Sequence, residues 1–171
     1  MRWNFMSGGM IQQRSSHDEI YMQLQSLLSD EVHPVANMAN MAALLYHSLR
    51  DMNWVGFYLR YADELVLGPF QGKAACVRIP VGKGVCGSAV EKQQTMIVDD
   101  VNQFQGHIAC DADSRSEIVV PLYLNNQIIG VLDADSPVIN RFQAEEKEFF
   151  EQCSSLLVAS SSGWENYHLL S

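Results

Sequence analysis

The sequence predicts an α+β fold in which helices cover one face of a six-stranded, mostly antiparallel sheet. Apolar residues recur at helical spacing near both ends of the chain, and short apolar runs typical of strands fill its middle. A chain of 171 residues is long enough for one substantial core and too short for two. We therefore expect a single domain over residues 15–171. Residues 1–14 show no periodicity and are predicted to form a loose N-terminal extension.

Three long helices are predicted. Ser16 and Glu19 form a capping box that opens the first helix. Pro34 suits the first turn of a second helix, which should end near Arg50. The third begins near Ala144. The apolar positions expected in the core are Ile20, Leu24, Leu27 and Leu28, then Val35, Met38, Met41 or Ala42, Leu45 and Leu49, and finally Phe149, Phe150, Cys153, Leu156 and Leu157.

Six strands are predicted between these helices. They are expected at 53–60, 64–70, 76–80, 95–99, 116–124 and 127–133. Asn125 and Asn126 supply the left-handed residues of a two-residue turn between the last two strands. A short helix from about Val85 to Lys92 interrupts the series. One long irregular stretch remains at 100–115, and a loop of that length inside a compact domain is usually functional.

The charge of the chain narrows the choice of partners. Acidic residues outnumber basic ones by 20 to 11, which gives a formal net charge of −9. Such a field repels phosphate backbones and anionic lipid, so we expect neither nucleic acid nor a membrane as a partner. No segment approaches the roughly 20 apolar residues of a membrane span, and the N-terminus lacks the pattern of a signal peptide. These features predict a cytoplasmic protein, whose thiols are normally kept reduced.

The four cysteines have different predicted roles. Cys153 lies on the apolar stripe of the last helix and is expected to be a small buried hydrophobe. Cys76, Cys86 and Cys110 admit four interpretations: thiols without a role, a zinc site, a Cys–His nucleophile with His107, or a redox set. Zinc ligands usually come in closely spaced pairs, whereas these cysteines are ten and twenty-four residues apart. A cysteine in a long loop with two others on neighbouring elements favours attack followed by disulfide formation.

Carboxylates accompany these thiols. Glu117 follows Cys110 and begins an apolar strand, and Asp133 and Asp135 share one face at the end of another. Carboxylates raise the pKa of a neighbouring thiol, so they favour chemistry that needs an acid beside the thiol. Sulfoxide reduction is such chemistry, because the S–O oxygen must be protonated or polarised before it leaves. Trp54 could form an aromatic wall for an S-methyl group, or it could simply pack in the core.

Six ordered blocks span much of the chain from residue 35 to the last helix. They are NWVGFYL at 53–59, LVLGPFQGKAAC at 65–76, IPVGKGVCG at 79–87, GHIACD at 106–111, SEIVVPL at 116–122 and GVLDADS at 130–136. In these blocks the chain resembles the free methionine-(R)-sulfoxide reductases, which are single GAF-domain enzymes. The resemblance implies a GAF-like fold, with residues 15–171 as the GAF domain, and reduction of free L-methionine (R)-S-oxide to L-methionine.

The resemblance also implies roles for individual residues. Cys110 matches the catalytic cysteine, which becomes a sulfenic acid, and Cys76 or Cys86 then condenses with it to a disulfide. The positions that match substrate-binding residues are Trp54, Glu117, Asp133 and Asp135. Either Glu117 or Asp135 would assist departure of the oxygen.

The resemblance implies partners as well. Thioredoxin would restore the dithiol, the protein would form a homodimer, and neither a metal nor an organic cofactor would be needed. The alternative function is that of a GAF sensor or binding module, which holds a small molecule without catalysis.

Overall fold

The structure of the protein is a computed structural model that describes residues 16–106 and 112–167. The predicted N-terminal extension lies outside the described residues. The described residues form four α-helices, α1 (His17–Leu27), α2 (Pro34–Ser48), α3 (Gly84–Lys92) and α4 (Ala144–Ser160), and two short 3₁₀ helices, Val101–Gln103 and Trp164–Tyr167. The strands are β1 (Trp54–Tyr61), β2 (Glu64–Gly72), β3 (Arg78–Pro80), β4 (Met96–Val98), β5 (Ser116–Leu124) and β6 (Gln127–Ser136).

The six strands form one sheet in the order β3-β2-β1-β6-β5-β4, and all five neighbouring pairs are antiparallel. The predicted α+β fold with a six-stranded antiparallel sheet is therefore confirmed. Asn125 and Asn126 both have positive φ angles, as predicted for the turn between β5 and β6. The Ser16–Glu19 capping box at the start of α1 is also present.

The helices divide between the two faces of the sheet. Helices α1, α2 and α4 cover one face, where their apolar residues pack against Val55, Phe57, Val120 and Leu132. Helix α3 packs against the other face, over Tyr58, Val119 and Val131. The expectation that helices pack on one face therefore holds for three helices and is wrong for α3. Successive strand residues point to opposite faces, so a strand with apolar residues on both sides needs cover on both.

Several boundaries and burials differ from the predictions. Strand β3 begins at Arg78 and not at Cys76, because only residues 78–80 pair with β2. Strand β6 continues to Ser136, because β1 and β5 pair with it on both sides. Leu27 is 42% exposed, since the buried line of α1 runs through Ile20, Leu24 and Leu28. Val35, near the start of α2, is also exposed. In the part of the chain that the structure describes, every helix is too short or too polar to cross a bilayer.

Candidate active site

Three central strands place the predicted substrate-binding residues side by side. In the register of the sheet, Asp135 of β6 lies opposite Glu117 of β5 on one side and opposite Trp54 of β1 on the other. Asp133 is two residues away on the same strand and lies opposite Gly56. Residues two apart on a strand face the same way, so these four side chains share the face that α3 covers. The structure therefore brings together all four residues that the sequence singled out.

Helix α3 places Cys86 next to the carboxylates of Glu117 and Asp133. The Cys86 thiol donates a hydrogen bond to Oδ2 of Asp133 at 3.3 Å, and its sulfur lies 4.0 Å from Oε1 of Glu117. Gly87 lets α3 pack closely against the end of β3, because a Cβ atom there would collide with the carbonyl oxygen of Pro80. Cys86 is a free thiol and is only 3% exposed. Its position inside a buried polar cluster could not be read from its place in a glycine-rich turn.

Burial controls the protonation of this cluster. Burial, and then the charges of Asp133 and Glu117, raise the pKa of the Cys86 thiol well above its usual value. Burial, followed by the charges of Asp133 and Asp135, likewise raises the pKa of Glu117. Burial also raises the pKa of Asp133, although hydrogen bonding from Cys86 opposes that increase. Burial and the two carboxylates therefore favour the protonated form of the Cys86 thiol.

Within the described residues, Glu117 and Asp133 form no ion pair with a cationic side chain. Glu117 is 6% exposed and Asp133 is 5% exposed. Among residues 16–106 and 112–167, Oδ1 of Asp133 is buried and makes no hydrogen bond. Buried charge is costly unless it is paired, so the cluster is suited to a cation that comes from outside the chain.

An aromatic wall stands beside the carboxylates. Trp54 stacks against Phe70 with ring centroids 5.3 Å apart and against Tyr58 with centroids 5.9 Å apart. Trp54 is 3% exposed and belongs to the core on the α3 face. The two interpretations of Trp54, core packing and wall of a site, are therefore compatible. Tyr58 was not singled out from the sequence, although strand alternation from Trp54 through Gly56 to Tyr58 places it on the same face.

The segment 73–76, which precedes β3, contacts both the aromatic wall and the loop that bears Asp113. The indole N–H of Trp54 donates to the carbonyl of Lys73 at 3.1 Å, and the Tyr58 hydroxyl donates to the carbonyl of Cys76 at 3.0 Å. Lys73 also forms an ion pair with Asp113. Cys76 is disulfide-bonded, whereas Cys86 and Cys153 are free. Cys76 thus lies at the edge of the site in a segment that is anchored to the loop bearing Asp113.

The remaining candidates lie elsewhere. Cys110 and His107 fall in the segment 107–111, outside the described residues. After that segment, the Ser114 hydroxyl accepts a side-chain hydrogen bond from Asn53 at 2.9 Å. Cys153 is fully buried in the core on the opposite face of the sheet, as predicted. Burial raises the pKa of its thiol to about 12.

Comparison with known proteins places this site in a family. Residues 23–160 match the GAF domain family model. Over 134 residues the chain is 55% identical to the free methionine-R-sulfoxide reductase of Escherichia coli (strain K12), covering 78% of this chain and 81% of the relative. It is 42% identical over 148 residues to the free methionine-R-sulfoxide reductase of Saccharomyces cerevisiae (strain ATCC 204508 / S288c), covering 82% of each. An X-ray structure of free methionine-R-sulfoxide reductase from Neisseria meningitidis in complex with its substrate superimposes with a TM-score of 0.82 at 46% identity, covering 84% of this chain and 87% of that one.

The fold and the site therefore define a GAF domain that buries a thiol among carboxylates beneath an aromatic wall. Within this class, the two reductases named above are 55% and 42% identical to the chain over about four-fifths of its length. The chain belongs to the free methionine-R-sulfoxide reductase family.

Proposed function

We propose that this protein reduces free L-methionine (R)-S-oxide to L-methionine, with Cys110 as the nucleophile. The observation that carries the proposal is the buried cluster of Cys86, Glu117 and Asp133, which no cation of the described chain neutralises. A free amino acid brings the missing cation as its ammonium group. The related enzymes named above support the choice of the sulfoxide as substrate.

In the proposed complex the substrate lies between the carboxylates and the aromatic wall. Its ammonium group binds Asp133, whose Oδ1 faces no hydrogen-bond donor among the described residues, with Asp135 beside it on β6. Its methyl and sulfur end contacts Trp54. Contacts between sulfur and an aromatic ring contribute about 0.3–1.5 kcal/mol.

The proposed chemistry has two steps. The Cys110 sulfur attacks the sulfoxide sulfur and forms an S–S bond, while the sulfoxide oxygen takes up a proton. The hydroxyl group then passes from the substrate sulfur to the Cys110 sulfur as the S–O and S–S bonds break, which releases methionine and leaves Cys110 as a sulfenic acid. The Cys76 thiol then attacks that sulfenic acid, forming a disulfide and releasing water. Two features support Cys76 over Cys86 as the resolving cysteine. Cys76 is disulfide-bonded, and its segment is paired through Lys73 with Asp113, which is three residues from Cys110.

The proton for the departing oxygen is proposed to come from Glu117. Burial and the neighbouring aspartates favour the protonated form of this carboxyl. Asp135, the other carboxyl that the sequence suggested, is less deeply buried and lies opposite Glu117. A general acid must lie within hydrogen-bond reach of the group that it protonates. We therefore assign the acid role to Glu117 and ammonium binding to Asp133 and Asp135.

The proposal includes the setting of the reaction. Thioredoxin reduces the Cys76–Cys110 disulfide by thiol–disulfide exchange, which returns the enzyme to its active form. We also propose a single GAF domain over residues 15–171, a homodimer and a cytoplasmic location, as the sequence predicts. The net charge of −9 argues against nucleic acid as a partner.

A coupled assay tests the proposal. The protein is incubated with thioredoxin, thioredoxin reductase, NADPH and either the (R) or the (S) sulfoxide of free methionine. We expect NADPH consumption and methionine formation with the (R) form only. Cys153→Ala is the matched control, because Cys153 is a buried thiol on the opposite face of the sheet and should leave turnover unchanged. Binding of the sulfoxide without any methionine formation would instead favour the GAF sensor function.

A further inference from the structure

The described residues include one compact set of metal-ligating side chains, Cys86, Glu117 and Asp133. One ligand atom from each residue, a thiol sulfur and two carboxylate oxygens, lies within 4.8 Å of the other two. The closest pair is Cys86 Sγ and Asp133 Oδ2 at 3.3 Å. All three side chains are buried. Small movements of side chains would therefore bring three donor atoms onto a single ion.

The surroundings of this set favour a cation. Asp133 is more than nine-tenths buried, and its Oδ1 has no hydrogen-bond partner within residues 16–106 and 112–167. None of the ion pairs formed in that part of the chain reaches Glu117 or Asp133. The cluster thus contains three side chains that can become anionic ligands, and one of their oxygens, Oδ1 of Asp133, can still accept a bond. Glu117 lies on β5, Asp133 on β6 and Cys86 on α3, so all three ligands are supported by regular elements.

We propose that Cys86, Glu117 and Asp133 form an inhibitory site for a divalent transition-metal ion of the zinc class. Zinc accepts one thiolate together with carboxylates, and a set of three protein ligands leaves a fourth position for water. A hard ion such as Mg²⁺ prefers oxygen ligands alone, so the thiol selects for softer ions. The thiol proton passes to solvent when the metal–sulfur bond forms. The ion is an inhibitor and not a cofactor, because it takes the position proposed for the substrate ammonium group.

Metal binding rests only on the described geometry. Competition with substrate rests on the proposed function, in which the ammonium group binds Asp133. The experiments therefore measure binding without substrate first and inhibition second.

Binding is measured with Co²⁺, whose bond to a thiolate gives a charge-transfer absorption band. The protein is used in the form in which Cys76 is disulfide-bonded, so that Cys76 supplies no thiolate. We expect the band in the unmodified protein and in Cys153→Ala, its loss in Cys86→Ala, and its displacement by Zn²⁺. Asp133→Asn keeps the thiol but removes a carboxylate, and it should weaken Co²⁺ binding at least tenfold. A missing band, or a band that survives in Cys86→Ala, would overturn the proposal.

Inhibition is then measured under turnover with Zn²⁺. We expect the apparent KM for the sulfoxide to rise with Zn²⁺ while kcat stays constant, and a chelator should restore the original KM. Cys153→Ala should be inhibited to the same degree as the unmodified protein, and Cys86→Ala much less. A cobalt band without competitive inhibition would overturn the inhibitory role. A cobalt band in a protein that forms no methionine in the absence of Zn²⁺ would overturn the proposed function and leave the metal site standing.

Discussion

The ring of Trp54 lies directly over Gly56 on the same face of β1. A Cβ atom at position 56 would stand 2.5 Å from Cη2 of Trp54 and would also collide with Phe70. Because real Cβ atoms essentially never approach so closely, the absence of a side chain at Gly56 lets the Trp54 ring occupy this position. Gly56 itself lies opposite Asp133 of β6. The position of the aromatic wall thus depends on the absence of a single methyl group.

Gly56→Ala should therefore displace Trp54. Overpacking of this kind costs roughly 1–3 kcal/mol of folding stability, and we expect the KM for the sulfoxide to rise several-fold because the wall of the pocket moves. Gly68→Ala is the matched control on the neighbouring strand, since a Cβ atom there would come no nearer than 3.1 Å to the Phe57 carbonyl. Urea denaturation and steady-state kinetics measure both effects. An unchanged KM in Gly56→Ala would show that Trp54 does not contact the substrate.

Cysteine variants should separate the two chemical steps. Cys110→Ser should abolish methionine release even in a single turnover, because the attacking sulfur is gone. Cys76→Ser should release one equivalent of methionine and then stall as the sulfenic acid, since no thiol resolves it. Quantifying methionine after mixing reduced enzyme with excess sulfoxide distinguishes these results. Loss of the first turnover in Cys76→Ser would reverse the assigned roles.

Cys86 should behave differently from either of these cysteines. Its thiol donates to Asp133, so Cys86→Ser, which keeps a hydrogen-bond donor, should retain most activity, and Cys86→Ala should mainly raise KM. The Cys76 disulfide should still form in both variants after one equivalent of sulfoxide, as detected by mass spectrometry of tryptic peptides. Failure of that disulfide to form in Cys86→Ser would make Cys86 part of the resolving pathway.

Neutral amides should distinguish the acid from the ammonium ligand. Glu117→Gln cannot supply a proton, so we expect kcat to fall by about 10²–10⁴. Asp133→Asn loses a charge that contributes equally to substrate and transition state, so it should raise KM with a smaller effect on kcat. Thioredoxin is kept saturating so that recycling does not mask chemistry. If both variants change KM alone, the proton comes from another group.

The buried carboxylates also predict selectivity for the free amino acid. Acetylation of the substrate nitrogen removes the ammonium group and leaves Asp133 buried and unpaired, which is costly. N-acetylmethionine sulfoxide and peptide-bound methionine sulfoxide should therefore be poor substrates. The measurement compares kcat/KM for free and acetylated (R) sulfoxide. Equal kcat/KM values for the two substrates would show that the carboxylates do not bind the ammonium group.

The start of α4 predicts how stability depends on pH. Burial alone would raise the pKa of Glu146, but a 2.7 Å hydrogen bond from Arg141 and the backbone N–H of Gln143 outweigh it, and the pKa is lowered. A lowered pKa stabilises the fold above the unfolded-state value of about 4.3, and that stabilisation is lost as pH falls through the folded-state pKa. Glu146→Gln should cost about 1 kcal/mol at neutral pH, as expected for loss of a helix cap, and less at low pH.

Glu148→Gln is the control for this effect, because Glu148 is exposed on the same helix. Urea denaturation at neutral and at acidic pH gives the free energy of unfolding for each variant. A Glu146→Gln variant that is destabilised equally at both pH values would show that the carboxylate charge does not matter.

Local patterns in the sequence determined most of the elements of this fold. The Ser16–Glu19 capping box, the Asn125–Asn126 turn and the apolar stripe of α4 each depend on residues within a few positions of one another. Strand alternation also predicted that Asp133 and Asp135 share a face. The order of the six sequence blocks also indicated the family, and the comparisons confirm it.

Only the tertiary structure decided which helix covers the face of the sheet that bears Asp133 and Asp135. Helix α3 could have packed with the other three helices, and its own periodicity does not say which side of the sheet it covers. Because it packs on the opposite side, Cys86 reaches Asp133, which is 47 residues away in the chain, and becomes a buried donor to the carboxylate. The pairing of Lys73 with Asp113 across 40 residues is equally non-local. Such contacts depend on sheet order and register, which arise from many weak interactions between distant segments, and no short stretch of sequence specifies them.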